Sequence, residues 1–239
     1  MPRDIMLTLV PPSIAVIVPV AVGEAPPSAL FFERVMGAEA PVTLIGAADA
    51  GISSNVRDAF AQAGAELFLS PAPRGQRLSE AALSSSSLSK QIFLFLHADT
   101  VLPVGWDEAV RGAIEEGAAS GAFRLGFSGG GARMRWVAFW ANLRTRFTRV
   151  PYGDQAPFVR RDVYEKLGGH KPWPFLDDWD FARRVRDAGR VALLPKAVET
   201  SPRRYLERGV ANTVLRNWSI LRRAQRGESP EQLAERYRQ

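Results

Sequence analysis

Short apolar runs alternate with amphipathic stretches through the first half of the chain. Ile14-Ala-Val-Ile-Val18 is a β-branched run of the kind that forms a strand buried on both faces. Pro26 and Pro27 open a helical stretch from Ser28 to Met36, which Gly37 stops. A second apolar run, Val42 to Ile45, ends in Gly46-Ala-Ala, and Ser53 or Ser54 caps a predicted helix over Val56 to Ala63 that Gly64 closes. Glu66 to Leu69 reads as a third strand and Pro71 to Gly75 as a loop; Leu78 to Leu88 is predicted helical across the serine run Ser84 to Ser87. Ile92-Phe-Leu-Phe-Leu96 is the clearest strand of the chain. After it, a polar turn over His97 to Thr100 leads to a helix starting near Pro103. Strand and helix alternating at this spacing predict a parallel sheet with right-handed crossovers.

The second half is less regular. Ala118 to Phe127 is predicted to be a strand running into a glycine turn at Gly129-Gly-Gly131. Met134 to Phe147 is an aromatic-rich helix carrying Trp136, Phe139, Trp140 and Phe147; their helical spacing points to packing in the core, with a membrane-contacting face as the competing reading. Pro157 to Arg160 is a short strand, Asp162 to Leu167 a helix ended by Gly168-Gly169, Asp177 to Ala188 a helix with Gly189 at its end, and Val191 to Leu194 the last strand. From Arg203 onward the chain reads as an amphipathic helical tail. No repeat, long linker or low-complexity tract divides residues 1–239, so one domain is expected.

Composition narrows the class. At 46% hydrophobic and 23% charged the chain can build a sizeable core. It has no cysteine, which removes disulfides and thiolate metal sites and fits a reducing, cytoplasmic setting. The apolar stretch Ile14 to Val22 contains Pro19 and falls well short of the roughly 20 residues a bilayer span needs. Arg3 followed by Asp4 is a poor start for a signal peptide, so a soluble protein is expected. The net charge is +6, and only Lys90, Lys166, Lys171 and Lys196 of the 31 basic residues are lysine. Arginine suits planar, bidentate contact with phosphate or carboxylate. The basic residues gather at Arg133 to Arg149 and from Arg203 onward, where nine Arg stand against four Glu. Neither region carries a zinc-finger, RNP-like or KH-like motif, so nucleic acid is set aside in favour of a phosphate-rich substrate or peripheral contact with the inner, anionic face of a membrane.

Ligands of parallel sheets gather at the carboxyl ends of the strands. His97-Ala98-Asp99-Thr100 follows the strongest strand directly, which puts Asp99 at that edge, where one carboxylate can hold Mg²⁺ or Mn²⁺ while a diphosphate supplies further oxygens. An Asp that merely holds the turn is the plainer reading of the same residue. Asp177-Asp178-Trp179-Asp180 opens a helix, where acids ordinarily offset free amides. Three carboxylates in four residues exceed that need, and Asp178 is turned about 100° from Asp177, so one can cap while the other faces a cleft. Tyr152-Gly-Asp-Gln155, between Pro151 and Pro157, offers donors and acceptors suited to a hydroxyl-rich ligand, as a plain turn also would.

Taken together, Phe95-Leu-His-Ala-Asp-Thr100, Gly121-Ala-Phe-Arg-Leu125, Tyr152-Gly-Asp-Gln155, Phe158-Val-Arg-Arg161, Leu167-Gly-Gly169 and Asp177-Asp178 resemble, in order and spacing, a bacterial group of family 2 glycosyltransferases associated with radical-SAM and selenodomain genes. The resemblance runs from about Ile14 into the tail. It implies an α/β GT-A fold with a Rossmann-like, mostly parallel sheet, a nucleotide-diphosphate sugar donor, a divalent metal and inverting transfer to an acceptor hydroxyl, which could be lipid-linked. It gives Asp99 the metal and Asp178 the part of base, with Asp177 beside it as the second catalytic candidate and the helix cap. Pro19, Arg74, His97 and Arg204 fall to the donor, and Tyr152, Asp154, Gln155 and Trp179 to the acceptor. The chain departs from the group on the nucleotide side. The Asp expected at the end of the second strand is displaced to Asp49, the turn after the first strand reads Val20-Ala-Val-Gly-Glu24, and the polar loop is reduced to Arg74-Gly-Gln-Arg-Leu-Ser79. A GT-A-like binding or scaffold module without turnover is therefore the alternative.

Overall fold

The computed structural model describes residues 11–238; the reading of Arg3 and Asp4 lies outside them. The first half runs β1 (Ile14–Val20), α1 (Ala29–Met36), β2 (Val42–Ala48), α2 (Ser54–Gln62), β3 (Glu66–Leu69), α3 (Arg74–Ala82), β4 (Ile92–Phe95), β5 (Thr100–Val101) and α4 (Trp106–Glu115). The second continues with β6 (Ser120–Phe127), α5 (Gly131–Thr148), β7 (Phe158–Arg160), α6 (Arg161–Lys166), α7 (Asp177–Ala188), β8 (Val191–Thr200), α8 (Arg203–Arg208), α9 (Val210–Gln225) and α10 (Pro230–Arg238). The strands form one sheet in the order β3-β2-β1-β4-β7-β6-β8-β5. β1 pairs in parallel with β2 and β4, β2 with β3, and β6 with β8, while β7 and β5 run antiparallel to their neighbours.

Alternation along β1 explains the two layers. Ile14, Val16 and Val18 point to one face and pack with Phe31, Phe60 and Trp106 of α1, α2 and α4. Ala15 and Ile17 point to the other, where Leu78, Tyr164, Phe181 and Val185 from α3, α6 and α7 cover them. A strand sandwiched in this way has no polar face to offer, which is why its sequence reads as a continuous apolar run. Each large side chain buried here contributes about 1.5–3 kcal/mol. Pro19 lacks an N–H, yet β1 runs through it, because β4 pairs only with Ile14 to Ile17.

Several elements differ from the sequence reading. α3 begins at Arg74, inside the expected loop, with Pro73 preceding its first turn. It stops at Ala82, where the Ser84 and Ser87 hydroxyls take the carbonyls of Ala81 and Ala82, and a 3₁₀ turn follows at Ser85–Ser87. Thr100, expected in a turn, belongs to β5, which pairs with Thr200 because β8 continues past Pro195 through a register shift opposite Ala122 and Arg124. The aromatic side chains of α5 are not in the core: Trp136 is 59% exposed, Phe139 58%, Trp140 50% and Phe147 77%. The apolar spacing that predicted burial belongs instead to Met134, Val137 and Ala138 on the opposite side. The tail is helical as expected and consists of three helices, with α10 folded back on α9 so that Ile220, Leu233 and Ala234 are buried. Among the described residues no helix is long and apolar enough to cross a membrane.

Candidate active site

Three segments that are far apart in sequence meet beyond the carboxyl ends of β1 and β4. They are the first turn of α3, the 3₁₀ turn Gly153–Gln155 and the first turn of α7. Pro19, Arg74, His97, Gly153 and Asp178 line one cavity there. Two glycines make the approach feasible. A Cβ on Gly75 would stand 2.1 Å from the Lys171 carbonyl oxygen and 2.9 Å from Asp177 Cβ. One on Gly153 would lie 2.6 Å from His97 Nε2 and 2.7 Å from Asp178 Oδ2. At Gly75 the clash is with backbone and leaves no room for a larger residue, while at Gly153 the His97 and Asp178 side chains would have to shift.

Arg74 is the hub of the cluster. Its guanidinium pairs with the fully buried carboxylate of Asp177 and donates from Nη2 to His97 Nε2 at 3.2 Å. That contact makes Nε2 an acceptor and so requires a neutral imidazole. Burial, with Arg74 beside it, pushes the His97 pKa down to about 4. The two carboxylates of α7 then behave differently. Asp178 Oδ2 accepts from the Gly153 amide at 2.8 Å, and Oδ1 accepts from the Trp179 amide at 2.8 Å. Although burial opposes ionisation, Arg74 and these amides hold its carboxyl below the usual carboxylate range. Asp177 is pushed up to about 6, because burial outweighs Arg74, and its Oδ2 is buried without a hydrogen-bond partner. Asp154 is likewise raised to about 6 by burial against the pull of Arg144, with Oδ1 buried and unpartnered.

Asp177 was the expected cap, but its side chain is turned to Arg74, and it is Asp178 that accepts from the amide of its own first turn. The residue before the helix is Leu176, held at φ 59°. Gln155 is 1% exposed and spent on the scaffold: Oε1 accepts from Thr145 Oγ1 at 2.7 Å, and Nε2 donates to the Phe123 carbonyl at 3.2 Å. It pins the loop to α5 and β6 and has no group left for an acceptor. Trp179, 8% exposed, packs with Val150 and Ala182 rather than presenting its ring. Tyr152 is half-buried beneath the Arg144 guanidinium, 3.4 Å from its ring centroid. Arg204 is exposed on α8, and its charge is felt by both His97 and Asp154, as is that of Asp99. Arg144, Gly75 and Gly153 were missed as site residues: they touch candidates rather than resembling any, although both glycines sat inside quoted motifs.

Asp99 is exposed directly after β4, with only long contacts from the Thr100 and Thr200 hydroxyls at 3.4 and 3.5 Å to Oδ1. Among the described residues no three His, Cys, Asp or Glu side chains form a cluster able to hold a metal. Since His97 Nε2 faces Arg74, Asp99 is the one carboxylate of its segment open to a cation. A single hard oxygen donor fits Mg²⁺ or Mn²⁺ when a diphosphate and water complete the shell. β2 extends three residues beyond the expected Ile45, so Asp49 follows it immediately. There Asp49 accepts from the Gly51 amide at 2.9 Å and pairs with Arg77 at 3.3 Å.

No protein-family model matches this chain, and no curated protein matches it. Solved structures do. TarS of S. aureus superposes with a TM-score of 0.60 at 11% identity, over 79% of this chain and 36% of that one. GalNAc-T7, solved with UDP, GalNAc and Mn²⁺, superposes with a TM-score of 0.56 at 13% identity, over 81% of this chain and 44% of that one. Both are GT-A glycosyltransferases, and the curled eight-stranded sheet flanked by helices described above is the GT-A fold. The chain spans less than half the length of either neighbour.

Proposed function

We propose that this protein is an inverting glycosyltransferase of the family 2 type, moving a sugar from a nucleotide-diphosphate donor to an acceptor hydroxyl. The observation that carries the reading is the meeting of Arg74, His97, Asp99, Asp154 and Asp178 at the carboxyl edge of a GT-A sheet. A fold alone does not imply a reaction, but ionised carboxylates and a guanidinium at the ligand edge are what this one needs. The neighbour holding UDP, GalNAc and Mn²⁺ lends support to the same ligand classes.

In this reading Asp178, ionised and aimed by the amides of Gly153 and Trp179, takes the proton of the acceptor hydroxyl. The acceptor oxygen attacks the anomeric carbon from the face opposite the diphosphate, whose bond to that carbon breaks as the new one forms. Arg74 and Arg204 offset the charge on the departing diphosphate. A divalent ion held by Asp99 would supply further charge neutralisation on the same leaving group. Asp49 takes the nucleoside position, since it stands directly at the end of β2.

A second reading of the base has its own observation. Asp154 sits near 6 with a free, buried oxygen, closer to the pKa that suits proton transfer near neutrality. Calorimetry with UDP and GDP, each with and without Mn²⁺, tests the function. Metal-dependent micromolar binding is expected. No heat with either nucleotide would leave a GT-A-like binding module without turnover.

A further inference from the structure

The geometry points to the outer side of α5 as a docking surface for an anionic lipid bilayer. On a helix turning about 100° per residue, Trp136, Phe139, Trp140, Leu143 and Phe147 fall within one arc of about 100°. Four of these five are at least half exposed. Soluble surfaces scatter such residues singly, and contiguous patches mark a contact. The stripe extends over most of a helix that is about 27 Å long at 18 residues.

Charge decides what covers it. The same rotation puts exposed Arg133 along one flank and exposed Arg135 and Arg146 along the other, Arg144 being turned onto Tyr152, and no Asp or Glu occurs between Gly131 and Thr148. An apolar strip bordered on both sides by arginine matches the acyl boundary and anionic headgroups of a bilayer lying along the helix. Indole and phenyl rings favour that boundary zone. A second copy of the chain is a poorer fit, because facing stripes would bring arginine rows together with no acid to receive them. Single-stranded RNA fits less well too. Trp140 meets Trp136 edge-on at 66° and Phe139 at 80°, so the rings form a ridge instead of parallel stacking platforms. The basic tail, the other candidate, spends Arg216, Arg223 and Arg236 on internal contacts.

The proposal stands apart from glycosyl transfer, since its test reads partition and not turnover. The protein is sedimented with vesicles of phosphatidylcholine alone and of phosphatidylcholine with phosphatidylglycerol. Recovery with the anionic vesicles is expected, falling as salt rises. Replacing Trp136→Ser and Trp140→Ser together should lower the partition coefficient by roughly tenfold or more with the melting temperature unchanged. Arg135→Gln with Arg146→Gln should lower it by roughly tenfold to thirtyfold and flatten the salt dependence. Brominated lipids should quench tryptophan fluorescence in the unaltered protein, a readout free of any folding defect. Equal recovery with neutral and anionic vesicles at low salt, or unchanged partition of the double tryptophan variant, would overturn the proposal. So would a dimer, or an RNA complex, that the tryptophan variant abolishes while the parent ignores lipid.

Discussion

Asp177, Asp178 and Asp154 show how three like residues within one cleft are given different work by their surroundings. Asp177 neutralises Arg74 from a fully buried position. Asp177→Asn therefore strands a half-buried guanidinium and should cost about 1.5–3 kcal/mol, more than a lost cap would, with donor binding weakened alongside. Chemical denaturation and calorimetry on one variant read both effects. Asp178→Asn should lower turnover by roughly 10² or more and, because the amide keeps one acceptor oxygen where the carboxylate offers two to the Gly153 and Trp179 amides, should also cost about 1–3 kcal/mol of stability. The pH profile separates Asp178 from Asp154. With Asp178 as base, kcat/KM holds until the pH drops below the usual carboxylate range; with Asp154 as base, it declines as the pH falls through about 6. Asp99→Ala should abolish metal-dependent nucleotide binding while the fold survives, because its side chain carries no packing. At this scale the sequence was half legible. The residue types and their order named the cluster, but which carboxylate pairs with Arg74 depends on a contact between residues 103 positions apart.

At the scale of elements, legibility followed burial. β1 and β4, apolar on both faces, and α7, bounded by acids and by Gly189, stood out in the chain. β5 has two residues and exists only because β8 reaches it, so no local pattern could announce it. α5 misled for a definable reason: it is apolar on two sides, and helical spacing cannot tell a core-facing stripe from a solvent-facing one. The Gly153–Gln155 turn is the element on which the site depends most. It is bolted to α5 by Gln155 and lies against His97 and Asp178 through Gly153. Gly153→Ala should push Asp178 off its amide contact and lower turnover by an order of magnitude or more, as displacements of about 1 Å do. Parent-like kcat in this variant would show that the close approach is incidental.

The whole molecule sums opposing protonation effects. His97 and His170 stay neutral down to about 4 and about 3, mainly through burial. Their contribution is full above the ordinary 6.5 and is lost as pH falls through that value towards the folded ones. Asp154 and Asp177, raised to about 6, work the other way: their contribution is full below about 4 and is lost as pH rises through about 6. Between pH 7 and pH 4 the two pairs nearly offset each other, so net stability should stay roughly level there and fall below pH 4, where His170 goes on to protonate. Asp178 adds to the loss only further down. Replacing His170, wedged between Phe95 and Phe181, by Gln should lower stability at pH 7 yet flatten the decline, as melting curves across that range would register. A parent whose melting temperature rises steadily towards pH 4 would contradict this balance.

The pairing of β5 with β8 also sets a schedule. Thr100 Oγ1 and Thr200 Oγ1 lie 3.0 Å apart across 100 residues of chain, and both approach Asp99. A ribosome adding about 5–20 residues per second separates their synthesis by roughly 5–20 s. During that interval β1 to β4 can already assemble, while the turn bearing Asp99 has no strand beside it. The nascent chain thus builds the β1 to β4 half of its sheet first and fixes the turn bearing Asp99 last, so a metal-assisted grip on the proposed donor would have to wait until β8 has been made.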